Sequence, residues 1–348
     1  MVVGLGPVLT EVETGAPLLV DGATGLLLVH PSPERTAAAT RERRARRAAE
    51  RRAHHDRDLP AATRDGHRVR VLANVASRAE VDAALAAGAE GVGLLRTELA
   101  FLEAAAWPEQ ADHERALRPI LEPLAGRVAT VRLLDFGGDK TPPFLRGAAG
   151  RGVELLLAAP AALAAQARAI TAAAAGVELR VLVPMVTEPG QLRAVREQLG
   201  ACSVGAMVEV PAAATLADLL AADADLLSVG TNDLASLELG RGRDVPGGAP
   251  AHHPAVLRRV AQVVAAAHAA GIPVDVCGEA ASDPRALPLL VGLGVDELSV
   301  GAARVGQVRA AVRELGYAEA AELARSALGA ESAEAVERLL GERAHAGG

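Results

Sequence analysis

The sequence predicts an α/β protein built on a (β/α)8 barrel of the TIM type that occupies residues 63–348, and three observations carry the prediction. Eight short Val/Leu-rich runs alternate with long Ala-rich helical stretches between about residues 66 and 320, which is the arithmetic of eight βα units. The runs are apolar at consecutive positions, as strands buried on both faces are. Most of them also end in polar or charged residues, and barrel chemistry gathers at the C-terminal strand tips. A doubly wound open sheet is the alternative architecture, and the polar run ends favour the barrel.

Residues 1–31 alternate apolar runs with turn signals. VVGLG is followed by PLLV and LLLV, separated by Asp21-Gly22 through Gly25 in the manner of a hairpin turn. This is too little to bury a core alone, so it reads as the end of a β-rich unit. Residues 32–62 are dominated by ERTAAATRERRARRAAERRAHHDRD, rich in helix formers. Its arginines could form a nucleic-acid stripe, but the interspersed Ala and Glu favour a solvated linker helix. The barrel runs then follow as VRVLANV, GVGLLRTE, TVRLLDFGG, LRVLVPMV, VGAMVEV, LLSVGTND, VDVCGE and ELSV.

The composition narrows the function. Half of the 348 residues are apolar but only 1% are aromatic, so Ala, Leu and Val must build the core. A net charge of -7 gives no reason to expect nucleic acid as a partner. Two distant cysteines, Cys202 and Cys277, form neither a disulfide framework nor a metal knuckle. No run of 18 apolar residues and no signal-peptide pattern occurs, so a cytoplasmic protein without membrane insertion is expected.

The strand tips carry Arg96 and Glu98, Arg132 and Asp135, Glu209, Asn232 and Asp233, and Cys277 and Glu279. In a barrel they converge on one mouth. Mg²⁺ takes one or two carboxylates plus phosphate oxygens, which suits Glu209 and Asp233. Arginine forks suit phosphate and carboxylate, which fits Arg96, Arg132 and Arg243. Simpler roles are open for each. Arg96 and Glu98 could brace two strands, Asp233 could cap the helix beginning DLASLELG, Glu209 could be a surface residue, and Cys277 could be a core residue.

GAEGVGLLRTE, RLLDFGGDKTP, LVPMV, GAMVEVPAAA, LLSVGTNDL, HPAVL and VCGEAASDPRALPLLVGLGVDELSV together resemble, in order, the C-terminal half of enzyme I of the bacterial sugar phosphotransferase system, a phosphoenolpyruvate-protein phosphotransferase. The likeness covers nearly the whole chain. Residues 1–31 resemble the end of that family's swivelling phosphohistidine domain. The pyruvate phosphate dikinase and phosphoenolpyruvate synthase share the barrel, but Gly137-Gly138-Asp139-Lys140 points to enzyme I. The resemblance implies that Arg96, Arg132 and Arg243 clamp phosphoenolpyruvate with Asn232 beside them, and that Arg151 is a further family arginine. It implies Glu209 and Asp233 as Mg²⁺ ligands and Cys277 as the acid that protonates the enolate to pyruvate. Ala235-Ser236-Leu237 and Glu154 depart from the family pattern.

The family's acceptor is a histidine in a Thr-Ser-His context, and none of the nine histidines has that context. The acceptor domain, and the domain that docks the histidine-containing carrier protein, are therefore expected outside this sequence. The resemblance also implies a homodimer. The rival reading is a non-catalytic module that binds phosphoenolpyruvate or only dimerises.

Overall fold

The computed structural model describes residues 12–22, 25–138, 140–242 and 249–346, with side chains to residue 342. The chain divides into two compact units, Met1–His55 and Asp56–Gly348.

In the first unit, β1 (Leu18–Asp21) pairs antiparallel with β2 (Leu26–Val29), Leu18 opposite Val29. The expected run VVGLG lies outside the described residues. Helix α1 (Pro33–His55) follows. Ser32 Oγ accepts from Arg35 N at 3.3 Å at its start, and Pro33 supplies a first residue whose missing N–H is no loss. The helix ends at His55, short of the expected residue 62. Pro60 lies just beyond and disfavours helical geometry at the residue before it.

In the second unit all eight expected runs are strands of one closed parallel barrel. They are β3 (Arg70–Val75), β4 (Gly91–Leu95), β5 (Val128–Arg132), β6 (Glu178–Val183), β7 (Ser203–Val208), β8 (Leu226–Val229), β9 (Val274–Val276) and β10 (Glu297–Gly301), and β10 closes onto β3. The helices between and after them are α2 (Arg78–Ala86), α3 (Gln110–Leu121), α4 (Val153–Leu157), α5 (Pro160–Ala173), α6 (Pro189–Leu199), α7 (Pro211–Thr215), α8 (Ala217–Asp223), α9 (Thr231–Leu239), α10 (Pro254–Ala269), α11 (Leu287–Leu293), α12 (Val305–Glu314), α13 (Tyr317–Leu328) and α14 (Ala333–Ala346). Val, Leu and Ala fill the core between barrel and helices. Among the described residues, no helix is long and apolar enough to cross a membrane.

Glu297 ties the N-terminal end of the barrel. It accepts from Arg180 Nη1 on β6 at 2.9 and 3.1 Å and from Arg70 Nη1 on β3 at 2.9 Å. Three strands far apart in sequence are joined at one carboxylate. The barrel is also tied to its last helices, because Asp65 accepts from Tyr317 N at 2.7 Å and from Ala318 N at 3.0 Å, satisfying orphan donors at the start of α13.

His113 on α3 is 1% exposed, lies edge-on to Phe101, and neither ring nitrogen finds a partner among the described residues. Burial pushes its pKa down to about 4. The unfolded chain would bind this proton near pH 6.5. Stability is therefore intact above pH 6.5 and falls as pH drops towards 4, by up to about 3 kcal/mol. His113→Leu should flatten the pH dependence of urea unfolding across that window; an unchanged slope would refute the assignment.

Candidate active site

The C-terminal strand tips meet, as barrel geometry requires, around a cavity of about 360 Å³, a volume suited to a small ligand. Arg132 closes β5 and is 4% exposed. Its Nη2 donates to Glu98 Oε1 at 2.6 Å, and its Nη1 lies 3.3 Å from Asp135 Oδ2. Lys140 Nζ reaches the same two carboxylates at 3.0 and 3.1 Å. Arg151 Nη2 lies 3.2 Å from both Asp135 Oδ2 and Asp233 Oδ2. Three cations thus alternate with three carboxylates along the rim.

The backbone under this network is pinned. Thr97 Oγ1 donates to the Arg132 carbonyl at 2.9 Å and accepts from Gln166 Nε2 at 3.2 Å. Burial alone would raise the pKa of Glu98 and Asp135, but Arg132 and Lys140 outweigh it and hold both carboxyls below their ordinary values. Both stay ionised at neutral pH.

Glu209, just past β7, is 1% exposed and accepts from Met185 N at 2.8 Å. Burial pushes its pKa up to about 7, with Asp135 and Asp233 adding to the rise and Arg132 opposing it. A Cβ on Gly230 would stand 2.8 Å from Glu209 Cβ and 3.1 Å from Oε2. Glycine is what leaves room for this carboxylate beside the tip of β8.

Cys277 sits past β9 with Leu94, Leu182 and Met207 around it, 6% exposed. Burial pushes its thiol far up, so it carries its proton at any physiological pH. Asn232 Oδ1 accepts from Glu279 N at 2.8 Å and fixes the following turn. A Cβ on Gly278 would collide with the Thr231 hydroxyl, so glycine lets the turn pass close to α9.

Of the residues singled out from the sequence, Arg96, Arg132, Glu209, Asn232, Asp233, Cys277 and Glu279 line the same cavity. Arg151 stands beside it through Asp135 and Asp233, and Arg243 lies outside the described residues. The simpler roles fare differently. Glu98 pairs with Arg132 and Lys140 and not with Arg96, which makes no ion pair among the described residues and whose buried Nε finds no acceptor. Asp233 is inside the first turn of α9, whose cap position is Gly230. Glu209 is not on the surface. Sequence reasoning assigned no role to Lys140, although the GGDKTP block that carries it was the signal.

Among the described residues no group of three or more His, Cys, Asp or Glu side chains could hold a metal. A divalent cation nonetheless fits Glu209 and Asp233. Both line the same cavity from adjacent strand tips, their mutual repulsion contributes to the rise at Glu209, and two hard carboxylates are the set that Mg²⁺ accepts.

The fold and this mouth define a (β/α)8-barrel protein with its charged site at the C-terminal strand tips. The chain belongs to the PEP-utilising enzymes, whose PEP-binding domain matches residues 50–317. It is 39% identical to a multiphosphoryl transfer protein of Rhodobacter capsulatus over 97% of this chain and 43% of that one. It is 38% identical to a phosphoenolpyruvate-protein phosphotransferase of Haloferax volcanii, over 97% of this chain and 63% of that one. A phosphoenolpyruvate-protein phosphotransferase of Streptomyces coelicolor is 40% identical over 93% of this chain and 61% of its own length. The chain therefore spans between two-fifths and two-thirds of the length of these relatives.

Proposed function

We propose that this barrel binds phosphoenolpyruvate with Mg²⁺ and performs the phosphoenolpyruvate half of a phosphoryl transfer to a protein histidine, releasing pyruvate. The observation that carries the reading is the convergence of Arg96, Arg132, Glu209, Asp233 and Cys277 on one cavity.

Arg96 and Arg132 bind the phosphate and carboxylate, with Arg243 as a third clamp, Arg151 behind Asp233, and Asn232 holding the turn beside them. A loose phosphoryl-transfer transition state asks for positioning and charge neutralisation more than for covalent help. Glu209 and Asp233 would hold the Mg²⁺, which when bound neutralises phosphate charge. A nitrogen of the acceptor histidine forms the new bond to phosphorus as the bridging C–O–P bond breaks on its phosphorus side, and the enolate takes the Cys277 proton at its methylene carbon. Burial keeps the thiol in the protonated state that an acid needs before transfer.

The acceptor is a histidine on a separate domain, and we assign residues 1–31 to the end of such a swivelling domain, 32–62 to the linker and 63–348 to the barrel. The histidine-containing carrier protein of the sugar phosphotransferase system is the onward partner, a homodimer the assembly and the cytoplasm the location. Calorimetric titration with phosphoenolpyruvate tests the reading: saturable binding that requires Mg²⁺ is expected. Cys277→Ala should keep that binding and abolish pyruvate formation when a histidine-bearing domain is added. Normal pyruvate release by this variant would refute the acid role.

A further inference from the structure

Beneath Cys277 lies a buried polar layer to which the reaction above gives no task. Ser228 on β8 and Asp275 on β9 are register partners, and Cys277 follows Asp275 by two positions, which places both on one face of the strand line. Ser228 Oγ lies 2.7 Å from Asp275 Oδ2 and 3.2 Å from Cys277 Sγ. Ser299 Oγ on β10 donates to Asp275 Oδ1 at 2.7 Å. The opposing position on β4 is Gly93, where a Cβ would collide with Ser299 Oγ. An ångström-scale chain therefore runs thiol, hydroxyl, carboxyl, from the cavity wall into the barrel.

Asp275 is 2% exposed and makes no ion pair among the described residues. Arg180 on β6 is a compensating charge that acts on it, and it is bound to Glu297. The groups facing Asp275 are thus Glu297, Arg180, the two serines and Cys277. Such a carboxyl is costly to ionise, and burial, reinforced by Glu297, pushes its pKa up to about 7. A carboxyl used only to brace strands would be satisfied by an amide of the same shape. An acid that holds a proton near neutral pH, joined to a thiol by one hydroxyl, can also move it.

We propose that Asp275 is the proton store for Cys277, connected through the Ser228 hydroxyl. This rests on the reading of Cys277 as the acid. When the enolate carbon takes the S–H proton, the thiolate takes the Ser228 proton and Ser228 takes that of Asp275. One proton has left the carboxyl, one C–H bond has formed, and the negative charge resides on the carboxylate in place of a buried thiolate. The carboxyl is the far stronger acid of the two, so the shift runs downhill. After pyruvate leaves, a water in the open mouth protonates the sulfur side and the chain shifts back, returning Asp275 to its acid form and hydroxide to the solvent. Ser228 and Asp275 act through Cys277 and never touch the substrate.

The test uses the chain as it is. Run backwards with Mg²⁺, the site should release tritium from methyl-tritiated pyruvate, the Cys277 proton moving through Ser228 to the Asp275 carboxylate. Asp275→Asn keeps the shape and both serine contacts; Ser228→Ala is a second, independent break. Both variants should bind phosphoenolpyruvate as the parent does and release tritium roughly 10- to 100-fold more slowly. In mixtures of light and heavy water the parent rate should curve with isotope fraction, because more than one proton moves, and the Ser228→Ala rate should be linear. A dead Cys277→Ala beside unaffected Asp275→Asn and Ser228→Ala variants would overturn the store and leave the acid assignment standing. Full exchange by Cys277→Ala, or none by the parent, would overturn both.

Discussion

Replacing Arg132 with methionine should cost about 3–5 kcal/mol of stability and weaken phosphoenolpyruvate binding at least about 30-fold. The stability loss follows from what stays behind. Glu98 and Asp135 have fully buried side chains, and in the variant they would share only Lys140 and Arg151. Their carboxyls would then lose the principal cause that holds them ionised. The binding loss has a different origin, since the same guanidinium lines the cavity and no other group there offers a planar fork at that place. Arg132→Lys should rescue little of the binding, because an ammonium is a point charge without the planar two-nitrogen fork that suits phosphate and carboxylate. The two losses can be separated with Arg132→Met/Glu98→Gln, which removes a buried charge along with its partner. Urea unfolding should show part of the stability restored, while calorimetry should show binding still lost. Equal recovery of both would mean that Arg132 only supports the fold; an Arg132→Met protein of parental stability would refute the buried network itself.

The barrel was legible because its strands are short, mainly apolar runs and most of them are closed by polar residues, as in LLSVGTND and GVGLLRTE. That pattern follows from burial on both faces and needs no knowledge of partners. Convergence of the tips was legible for the same reason, since parallel strands in a closed barrel must end at one mouth. Pairings within the mouth were not legible. Arg96 and Glu98 are two residues apart and suggest a local pair, yet Glu98 reaches Arg132 and Lys140, 34 and 42 positions along the chain. Parallel pairing is set by non-local register, and a list of tip residues carries no information about which charge faces which. Asp275 was hidden for a related reason. In the run VDVCGE it reads as one polar interruption, and only the register with Ser228 and the approach of Ser299 show that it is enclosed. At α1 the balance is the opposite, because a single local feature, Pro60, keeps the helix from running on to residue 62 whatever the composition favours.

Glu209→Gln should abolish Mg²⁺-dependent phosphoenolpyruvate binding while leaving the protein as stable as before or more so. The amide keeps an oxygen for Met185 N, so the local fold loses little. What disappears is a charge that burial and two neighbouring carboxylates, Asp135 and Asp233, make unfavourable in the free protein. On the proposed function this acid serves a ligand, and a cation held jointly with Asp233 would turn the repulsion into attraction. Asp233→Asn should lose binding similarly but gain no stability, because Arg151 would give up one of its two carboxylate partners. The pair of variants thus separates two ways of losing the cation. Thermal unfolding should show Mg²⁺ with phosphoenolpyruvate stabilising the parent and neither variant, and in the absence of both Glu209→Gln should melt no lower than the parent. Unchanged Mg²⁺-dependent binding in both variants would remove the metal from these two residues. A marked destabilisation of Glu209→Gln would mean that the carboxylate serves the fold, its hydrogen bond to β6's outgoing loop counting for more than its charge.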